Sequence, residues 1–395
     1  RHLAMIHPRH VARAHAGHRA RPLRHHPARR RELRRAVLLG GGIDAAARQY
    51  GGARSDWIDL STGINPAGYP VPPLDPACWN RLPEDDDGLE AAAAAYYGNP
   101  RLLVLPGSQA GIQGLPAFLP RGVVACVAPL YEEHPQAWAR AGHKLRRLPS
   151  LARALAAATP NVLLCNPNNP TATALDRETL LAAAETLRRR GGVLIVDEAF
   201  ADPEPERSVV DLAGSDAAPN LIVLRSLGKF FGLAGARVGF LFAGETLRQN
   251  LREALGPWPV AHPSRAVARV ALADFAWQAA ARAALAEASQ RLADLLAPLG
   301  KPDAVTRTPL FCTLRVEGVD APETLAALDA HFARRAILVR RFDEHGLLRF
   351  GLPPDAAGWE RLSAGVAAWL EGAWRLACGA SPSWLSRLLS QDFIS

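Results

Sequence analysis

The sequence predicts an α/β protein: a large domain whose mostly parallel sheet is covered by helices, followed by a smaller α+β domain. Three observations carry that expectation. Between Leu102 and about Leu255, short apolar runs suited to buried strands alternate with helical segments, and strands separated by helices imply crossover connections and parallel pairing. Gly256-Pro257-Trp258-Pro259 then breaks the alternation, and a long Ala/Leu/Arg helical stretch with a few strand-like runs follows. Finally, 395 residues exceed one typical core, which leaves room for two domains with a ligand between them.

Residues 1–36 are rich in Arg, His, Pro and Ala without the aliphatic periodicity that buries a face, so they read as a disordered basic extension. Eleven arginines and one glutamate lie in the first 35 residues, so the net charge of +8 falls to about −2 over the remainder. Three origins for this segment stay open: a nucleic-acid-binding arm, a targeting peptide, or translated sequence upstream of the natural start, since Met5 is the sole methionine. Charge alone gives only sequence-independent attraction, so no nucleic-acid partner is expected. No apolar run marks a secretory signal or a membrane span; the longest uncharged stretch, Leu102 to Pro120, is broken by Pro, Gly, Ser and Gln. The cysteines Cys78, Cys126, Cys165, Cys312 and Cys378 are scattered and odd in number, which favours reduced thiols in a cytoplasmic protein and no metal site. Cys126 and Cys165 fall in apolar runs and read as core.

Residues 37–70 form an N-terminal arm, with a helical pattern over Ile43–Tyr50 and then Trp57-Ile58-Asp59-Leu60 leading into Ser61-Thr62-Gly63-Ile64-Asn65-Pro66. The Gly and Asn-Pro there mark irregular backbone that either closes a turn or approaches a ligand. The large domain covers 71–256. A Pro-rich, acidic linker and a helix near Leu89–Tyr97 precede candidate strands Val123–Ala128, Val162–Cys165, Val193–Val196 and Leu221–Leu224, with helices near Ile112–Phe118, Glu132–Ala141, Arg177–Arg190 and Glu245–Leu255. The small domain covers 257–372: one helix or a helix pair over Ser264–Leu299, strand-like runs at Phe311–Val316, Ile337–Arg340 and Leu347–Gly351, and helices near Pro322–Arg334 and Asp355–Leu370. The tail, 373–395, is unassigned.

In open parallel sheets ligands collect at the carboxyl ends of the strands, and four signals lie at such ends. Pro106-Gly107-Ser108-Gln109-Ala110-Gly111 opens a helical segment, which is either a plain N-cap or a cup of free N–H groups for an anion. Asn166-Pro167-Asn168-Asn169-Pro170-Thr171 is a loop stiffened by two prolines that present asparagines in one orientation. Asp197 ends an apolar run and places a carboxylate at the sheet's edge; alone it reads as a helix cap or a metal ligand. Lys229, in Ser226-Leu227-Gly228-Lys229-Phe230-Phe231-Gly232, follows Leu221–Leu224; it is one of three lysines among 46 basic residues. A solvated surface lysine is the plain alternative, but arginine serves a surface equally well in this composition. Taken together, an anion cup, an oriented amide, a carboxylate and an amine supply what pyridoxal phosphate needs.

On these motifs, with Asp59–Pro66, Asp197-Glu198-Ala199-Phe200, Arg225–Gly235, Leu255–Trp258 and Arg340-Arg341-Phe342-Asp343, the chain resembles the aspartate-aminotransferase fold family, fold type I, of pyridoxal-phosphate enzymes over about residues 38–372. Within it the chain looks most like the threonine-phosphate decarboxylases of cobalamin synthesis, with histidinol-phosphate aminotransferases as near cousins. The resemblance implies that Lys229 forms the Schiff base, that Asp197 pairs with the pyridine nitrogen and that Asn169 reaches the ring oxygen. It further implies that Gly107, Ser108, Gln109, Ser226 and Arg237 hold the cofactor phosphate, and that Tyr131 stacks on the ring. Arg349 matches the clamp for the substrate carboxylate, Arg340 a second substrate anion, and Asn65 a further substrate contact. The expected substrate is a small phosphorylated amino acid, and the expected assembly is a homodimer.

Two departures matter. Phe200 stands where the aminotransferases of this fold have a tyrosine, as in the decarboxylase branch; Leu39 stands where that branch has a histidine before Gly40, Gly41 and Gly42. Ala172 also replaces the usual glycine after the Asn-Pro-Thr stretch, and only a turn adjustment is expected. The alternatives are a histidinol-phosphate-type aminotransferase and, outside enzymes, a pyridoxal-phosphate-binding transcription regulator, for which the first 35 residues show no helix-turn-helix periodicity.

Overall fold

The computed structural model describes residues 42–378. The basic extension, Leu39 with Gly40 and Gly41, and the tail after Cys378 lie outside the described residues.

The arm begins with α1 (Ile43–Tyr50) and the short β1 (Ile58–Asp59); the linker that follows contains one 3-10 turn, Pro76–Trp79, and leads to α2 (Leu89–Tyr97). The large sheet then assembles from β2 (Leu102–Leu105), α3 (Ser108–Gly114), β3 (Val123–Val127), α4 (Glu133–Arg140), β4 (Lys144–Leu148), α5 (Leu151–Ala156), β5 (Asn161–Cys165), α6 (Arg177–Arg188), β6 (Val193–Asp197), β7 (Leu221–Ser226), β8 (Gly239–Phe242) and α7 (Glu245–Leu255). Its order is β2-β8-β7-β6-β5-β3-β4. β8 runs antiparallel to both neighbours, and the other pairs are parallel.

Both faces of this sheet are covered, which is why its central strands read as unbroken apolar runs. In β7, Ile222 and Leu224 pack with Trp138 of α4 and Leu251 of α7. The alternate residues Leu221 and Val223 pack with Leu180 and Leu187 of α6 on the opposite face. Helix starts are set by side-chain caps that satisfy first-turn N–H groups: Asp176 accepts from Thr179 N at 2.7 Å ahead of α6, and Ser150 accepts from Arg153 N at 3.2 Å ahead of α5.

Several elements differ from the sequence expectation for identifiable reasons. β4 reads Lys-Leu-Arg-Arg-Leu and is the sheet's edge, where charge protects an exposed strand and erases the apolar signal. β2 and β8 are short four-residue strands next to loops and are additions to the expected set. The helix expected at Ile112 starts at Ser108 and tightens into a 3-10 turn over Leu115–Phe118, because Pro116 has no N–H to continue the α ladder.

The remaining chain forms a helix pair, α8 (His262–Ala273) and α9 (Phe275–Leu296), then β9 (Val305–Thr308), β10 (Phe311–Arg315), α10 (Ala321–Ala333), β11 (Ile337–Leu338), β12 (Arg340–Phe342), β13 (Leu347–Gly351) and α11 (Ala356–Cys378). Asp274 separates the pair and caps α9, accepting from Trp277 N at 3.0 Å. Four strands make an antiparallel sheet in the order β12-β13-β10-β9. The run expected as one strand, Ile337–Arg340, divides at Val339: β11 pairs with β1 of the arm, and β12 joins the four-stranded sheet. α11 runs on past residue 372, beyond the expected end of this region.

The arm crosses from the small sheet to the large one through its backbone. Leu60 O accepts from Gly351 N at 2.6 Å, Asn65 N donates to Lys229 O at 3.0 Å, and Tyr69 N donates to Phe231 O at 2.8 Å. The crossing is tightest at Gly68 and Gly232. Gly232 has φ +66°, and a Cβ there would lie 2.5 Å from Gly68 Cα. Gly232→Ala is therefore expected to destabilise the protein by about 2–4 kcal/mol in urea unfolding, combining left-handed strain with a backbone clash.

Candidate active site

β5, β6 and β7 lie side by side in parallel register, with Cys165 opposite Asp197 and Asp197 opposite Leu224. Their carboxyl ends therefore deliver the asparagine loop, Asp197 and the Ser226–Gly232 segment to one edge of the sheet. Lys229, three residues past the end of β7, is half-buried. Its Nζ donates to Thr62 O at 3.3 Å and sits 5.1 Å from the centre of the Phe200 ring. Burial, helped by Arg349 and Arg237 and opposed by Asp197, pulls its pKa down to about 8, so near physiological pH a minority of the amine is neutral, far more than for an ordinary lysine.

Asp197 is buried, with Oδ2 2.6 Å from His134 Nε2 and Oδ1 accepting from Ala199 N at 3.0 Å. His134 belongs to none of the sequence motifs. The available signal is its spacing from Tyr131: three residues apart at the start of α4, the two rings meet edge to face with centroids 6.3 Å apart. The Cys165 sulfur lies in the same group, all ligand atoms being within 4.8 Å of one another. Burial, with Asp197 adding to it, pushes that thiol well above its ordinary pKa, so the sulfur is a protonated neighbour of the Asp197–His134 pair.

The second expected cluster also converges. Gly107 has φ +79°, and a Cβ on it would fall 2.4 Å from Arg237 Nη2. A Cβ on Gly239 would fall 2.4 Å from Ser108 N, and Gly239 pairs with Ser226 across β7 and β8. Ser108, Ser226 and the Arg237 guanidinium thus surround the uncapped start of α3. Gln109 departs from expectation: its Nε2 donates to Glu133 Oε2 at 3.2 Å, so the side chain turns towards α4 and only its backbone N–H faces the cup.

Arg340 and Arg349 are buried and lie opposite each other on β12 and β13. Arg349 Nη1 donates to Asn169 Oδ1 at 2.5 Å and Nη2 to Ser61 O, while Phe311 and Phe342 rings lie 5.2 and 5.7 Å from the guanidinium carbon. Its hydrogen-bond acceptors are neutral. Burial and the Arg340 charge pull the Arg349 pKa down to about 9; burial lowers that of Arg340 too, against Tyr131. Two buried guanidinium groups on adjacent strands, with Asn169 Oδ1 and Ser61 O as the neutral acceptors of Arg349, make an arrangement suited to anions.

Asn65, expected as a substrate contact, is engaged within the chain here. Its Nδ2 donates to Phe230 O at 2.8 Å and its Oδ1 accepts from Ala67 N at 3.0 Å, so the amide braces the backbone next to Lys229.

A third group draws on two of the sequence motifs, through Glu198 and Arg225, neither of which carries an expected role. Arg225 is 2% exposed and donates to Glu198 Oε2 at 2.7 Å and Asp202 Oδ1 at 2.5 Å, with its guanidinium 4.8 Å from the Tyr97 ring centre. Glu198 follows Asp197 and Arg225 precedes Ser226, so this ion cluster joins the ends of β6 and β7. An arginine inside an otherwise apolar run is the one signal of it.

The profile of the class I and II aminotransferase family matches residues 80–366. The threonine-phosphate decarboxylase of Pseudomonas aeruginosa is 48% identical over 335 residues, covering 85% of this chain and 98% of that protein. The threonine-phosphate decarboxylase of a Sinorhizobium species is 40% identical over 339 residues, covering 84% and 98%. Among solved structures, histidinol-phosphate aminotransferase from Sinorhizobium meliloti in complex with pyridoxal-5'-phosphate is similar with a TM-score of 0.71 at 21% identity, covering 88% of this chain and 98% of that one. L-threonine-O-3-phosphate decarboxylase from Porphyromonas gingivalis gives 0.60 at 20% identity, covering 79% and 99%; both carry the same fold. With a family profile spanning most of its length and strand ends bearing the family's motifs, the chain belongs to the class I and II aminotransferase family.

Proposed function

We propose that the chain is a pyridoxal-phosphate-dependent decarboxylase that converts L-threonine O-3-phosphate to carbon dioxide and (R)-1-amino-2-propanol O-2-phosphate for cobalamin biosynthesis. One observation carries the substrate class: Arg349 and Arg340 sit side by side and buried, and the acceptors Asn169 and Ser61 O that hold Arg349 are neutral. A substrate with one carboxylate and one phosphate supplies two anions to two cations. The 48% identity to a threonine-phosphate decarboxylase over 98% of that protein supports the same choice.

The residues present fit the cofactor. Gly107 and Gly239 leave a cradle that a Cβ would fill, with Ser108, Ser226 and Arg237 as phosphate donors and the Gln109 N–H beside them. Asp197, which His134 contacts at 2.6 Å, would hold a proton at the pyridine nitrogen. Asn169 accepts from Arg349 through its Oδ1, which leaves its Nδ2 as the group that would donate to the ring oxygen, and Tyr131 would cover a ring face. Bound pyridoxal phosphate supplies an electron sink for the pair released at Cα when a bond to that carbon breaks.

The chain's own residues do the rest. Lys229 would hold the cofactor covalently, and its free side chain would move a proton at Cα, the neutral amine as base and the ammonium as acid, both forms accessible at its lowered pKa. Arg349 would fix the substrate carboxylate with a planar two-donor grip and Arg340 would take the phosphate, so that the two ends together would orient the bonds at Cα. Phe200, against the Lys229 amine, brings no hydroxyl to the ring oxygen.

The remaining assignments belong to the same reading. The chain acts in the cytoplasm as a homodimer, with residues 71–256 as the cofactor-binding domain and 257–372 as the smaller one. Among the described residues no helix is long and apolar enough to cross a membrane.

Incubation with L-threonine O-3-phosphate is expected to release carbon dioxide without any oxo acid; a strict requirement for 2-oxoglutarate would replace this reading with a histidinol-phosphate-type aminotransferase. Arg349→Gln is expected to raise KM about 10- to 100-fold, the loss of a charge-assisted two-point contact. Covalent capture of pyridoxal phosphate by the apo chain, followed by its yellow absorbance, should accelerate with pH and level off above about 8, where Lys229 is neutral. Because the Arg349 charge helps lower that pKa, the midpoint should move up in Arg349→Gln.

A further inference from the structure

The four-stranded sheet carries one transverse polar row. Arg340 lies opposite Arg349, Arg349 opposite Thr313, and Thr313 opposite Thr306, across β12, β13, β10 and β9. Directly opposed residues of antiparallel strands share a face, so all four side chains leave the sheet on one side. The loop after β5 runs along this row in step with it. Asn169 Oδ1 accepts from Arg349 Nη1 at 2.5 Å, Pro170 O accepts from Thr313 Oγ1 at 2.6 Å, and Thr171 O accepts from Thr306 Oγ1 at 2.6 Å. Three consecutive loop residues thus meet three adjacent strands.

We propose that Thr313 and Thr306 are positioning residues: their hydroxyls fix the register of the asparagine loop against the small sheet and so hold Arg349 where it receives the substrate carboxylate. Valine is the same shape, is at least as good a strand former and would suit buried Thr313, which is 1% exposed; the hydroxyl is what threonine adds. Each hydroxyl satisfies a carbonyl of a loop that the large sheet presents; Thr313 belongs to β10, which neighbours the clamp strand β13, and Thr306 to β9, one strand further on. Asn166 and Asn168 anchor the loop to its own side of the site, so the two hydroxyls are its ties to the middle and far strands of the small sheet, and a displacement of about an ångström on losing them is enough to spoil a two-donor grip. Thr308, on the same strand as Thr306, bonds only within its own turn, to Leu310 N and Phe311 N at 3.2 Å, so the cross-sheet bonds belong to the row alone.

The identity of the carboxylate rests on the functional reading above; the latch itself does not. The test uses the full-length holoenzyme with Thr313→Val, the milder half-buried Thr306→Val, and Thr313→Ser as the variant that restores the hydroxyl. In Thr313→Val, kcat/KM for L-threonine O-3-phosphate is expected to fall about ten-fold, the size of one lost buried hydrogen bond. Inhibition by 1-amino-2-propanol O-2-phosphate, which lacks the carboxylate, should change less than two-fold, and Thr313→Ser should recover most of the loss. Thr306→Val should act in the same direction and less. Hydrogen exchange should quicken at the loop amides of Asn168 and Ala172, which bond to Thr173 O and Asn168 O, and stay unchanged in β6 and β7. Equal weakening of both ligands, no recovery by serine, or unchanged loop exchange overturns the latch. A wild-type enzyme inert towards L-threonine O-3-phosphate overturns the functional reading instead, and loop exchange then decides the latch alone.

Discussion

The site depends first on the buried ion cluster of Arg225 with Glu198 and Asp202. Ions taken out of water are costly unless well paired, and here one guanidinium meets two carboxylates that are themselves fully buried. Ser208 Oγ and Val209 N also donate to Glu198, which leaves its charge well surrounded, though burial still pushes its pKa up. The cluster has one geometric effect: β6 and β7 end at a fixed distance from each other. Asp197 and Ser226 are chain neighbours of its members, and Lys229 lies three residues on. An acid and an amine that must act on the same small molecule are thus set by a bond pattern one layer beneath them.

The second constraint is the arm. Its strand β1 pairs with β11, and a few residues later its backbone lies against the Lys229 segment. Consecutive carbonyls, Ser61 O and Thr62 O, accept from Arg349 and Lys229 respectively. The clamp of one sheet and the amine of the other therefore share one stretch of main chain. Together with the asparagine loop under Arg349, this closes a ring of contacts around the space where Asp197, Tyr131 and the two arginines face one another.

Much of this is legible in the order of residues alone. The central strands announce themselves as apolar runs because both faces of their sheet are covered, and the motif residues Asn169, Asp197 and Lys229 stand at their ends because strand ends are where such a sheet opens. What stays hidden has physical reasons. β4 carries edge charges, β8 is short, and Val339 divides a run that looks continuous. A histidine on a helix and an arginine within a strand, such as His134 and Arg225, give only faint signals, a spacing from Tyr131 and a charge in an apolar run, until their partners, Asp197 on the one hand and Glu198 with Asp202 on the other, are brought in from elsewhere in the chain. Gln109 and Asn65 show the converse: the residue types suit ligand contact, while neighbours in space, Glu133 and the Phe230 carbonyl, already engage their amides.

The arm's grip through its main chain also bears on inheritance. Peptide groups are common to every residue, so Thr62 and Ala67 are open to drift without loosening what the arm holds. Gly63 and Gly68 are not, because a side chain at either would press on Phe200 and Phe311 or on the backbone of Gly232. Divergence along this segment should therefore be uneven, with variable positions threaded between glycines that the close packing of two backbones will not release.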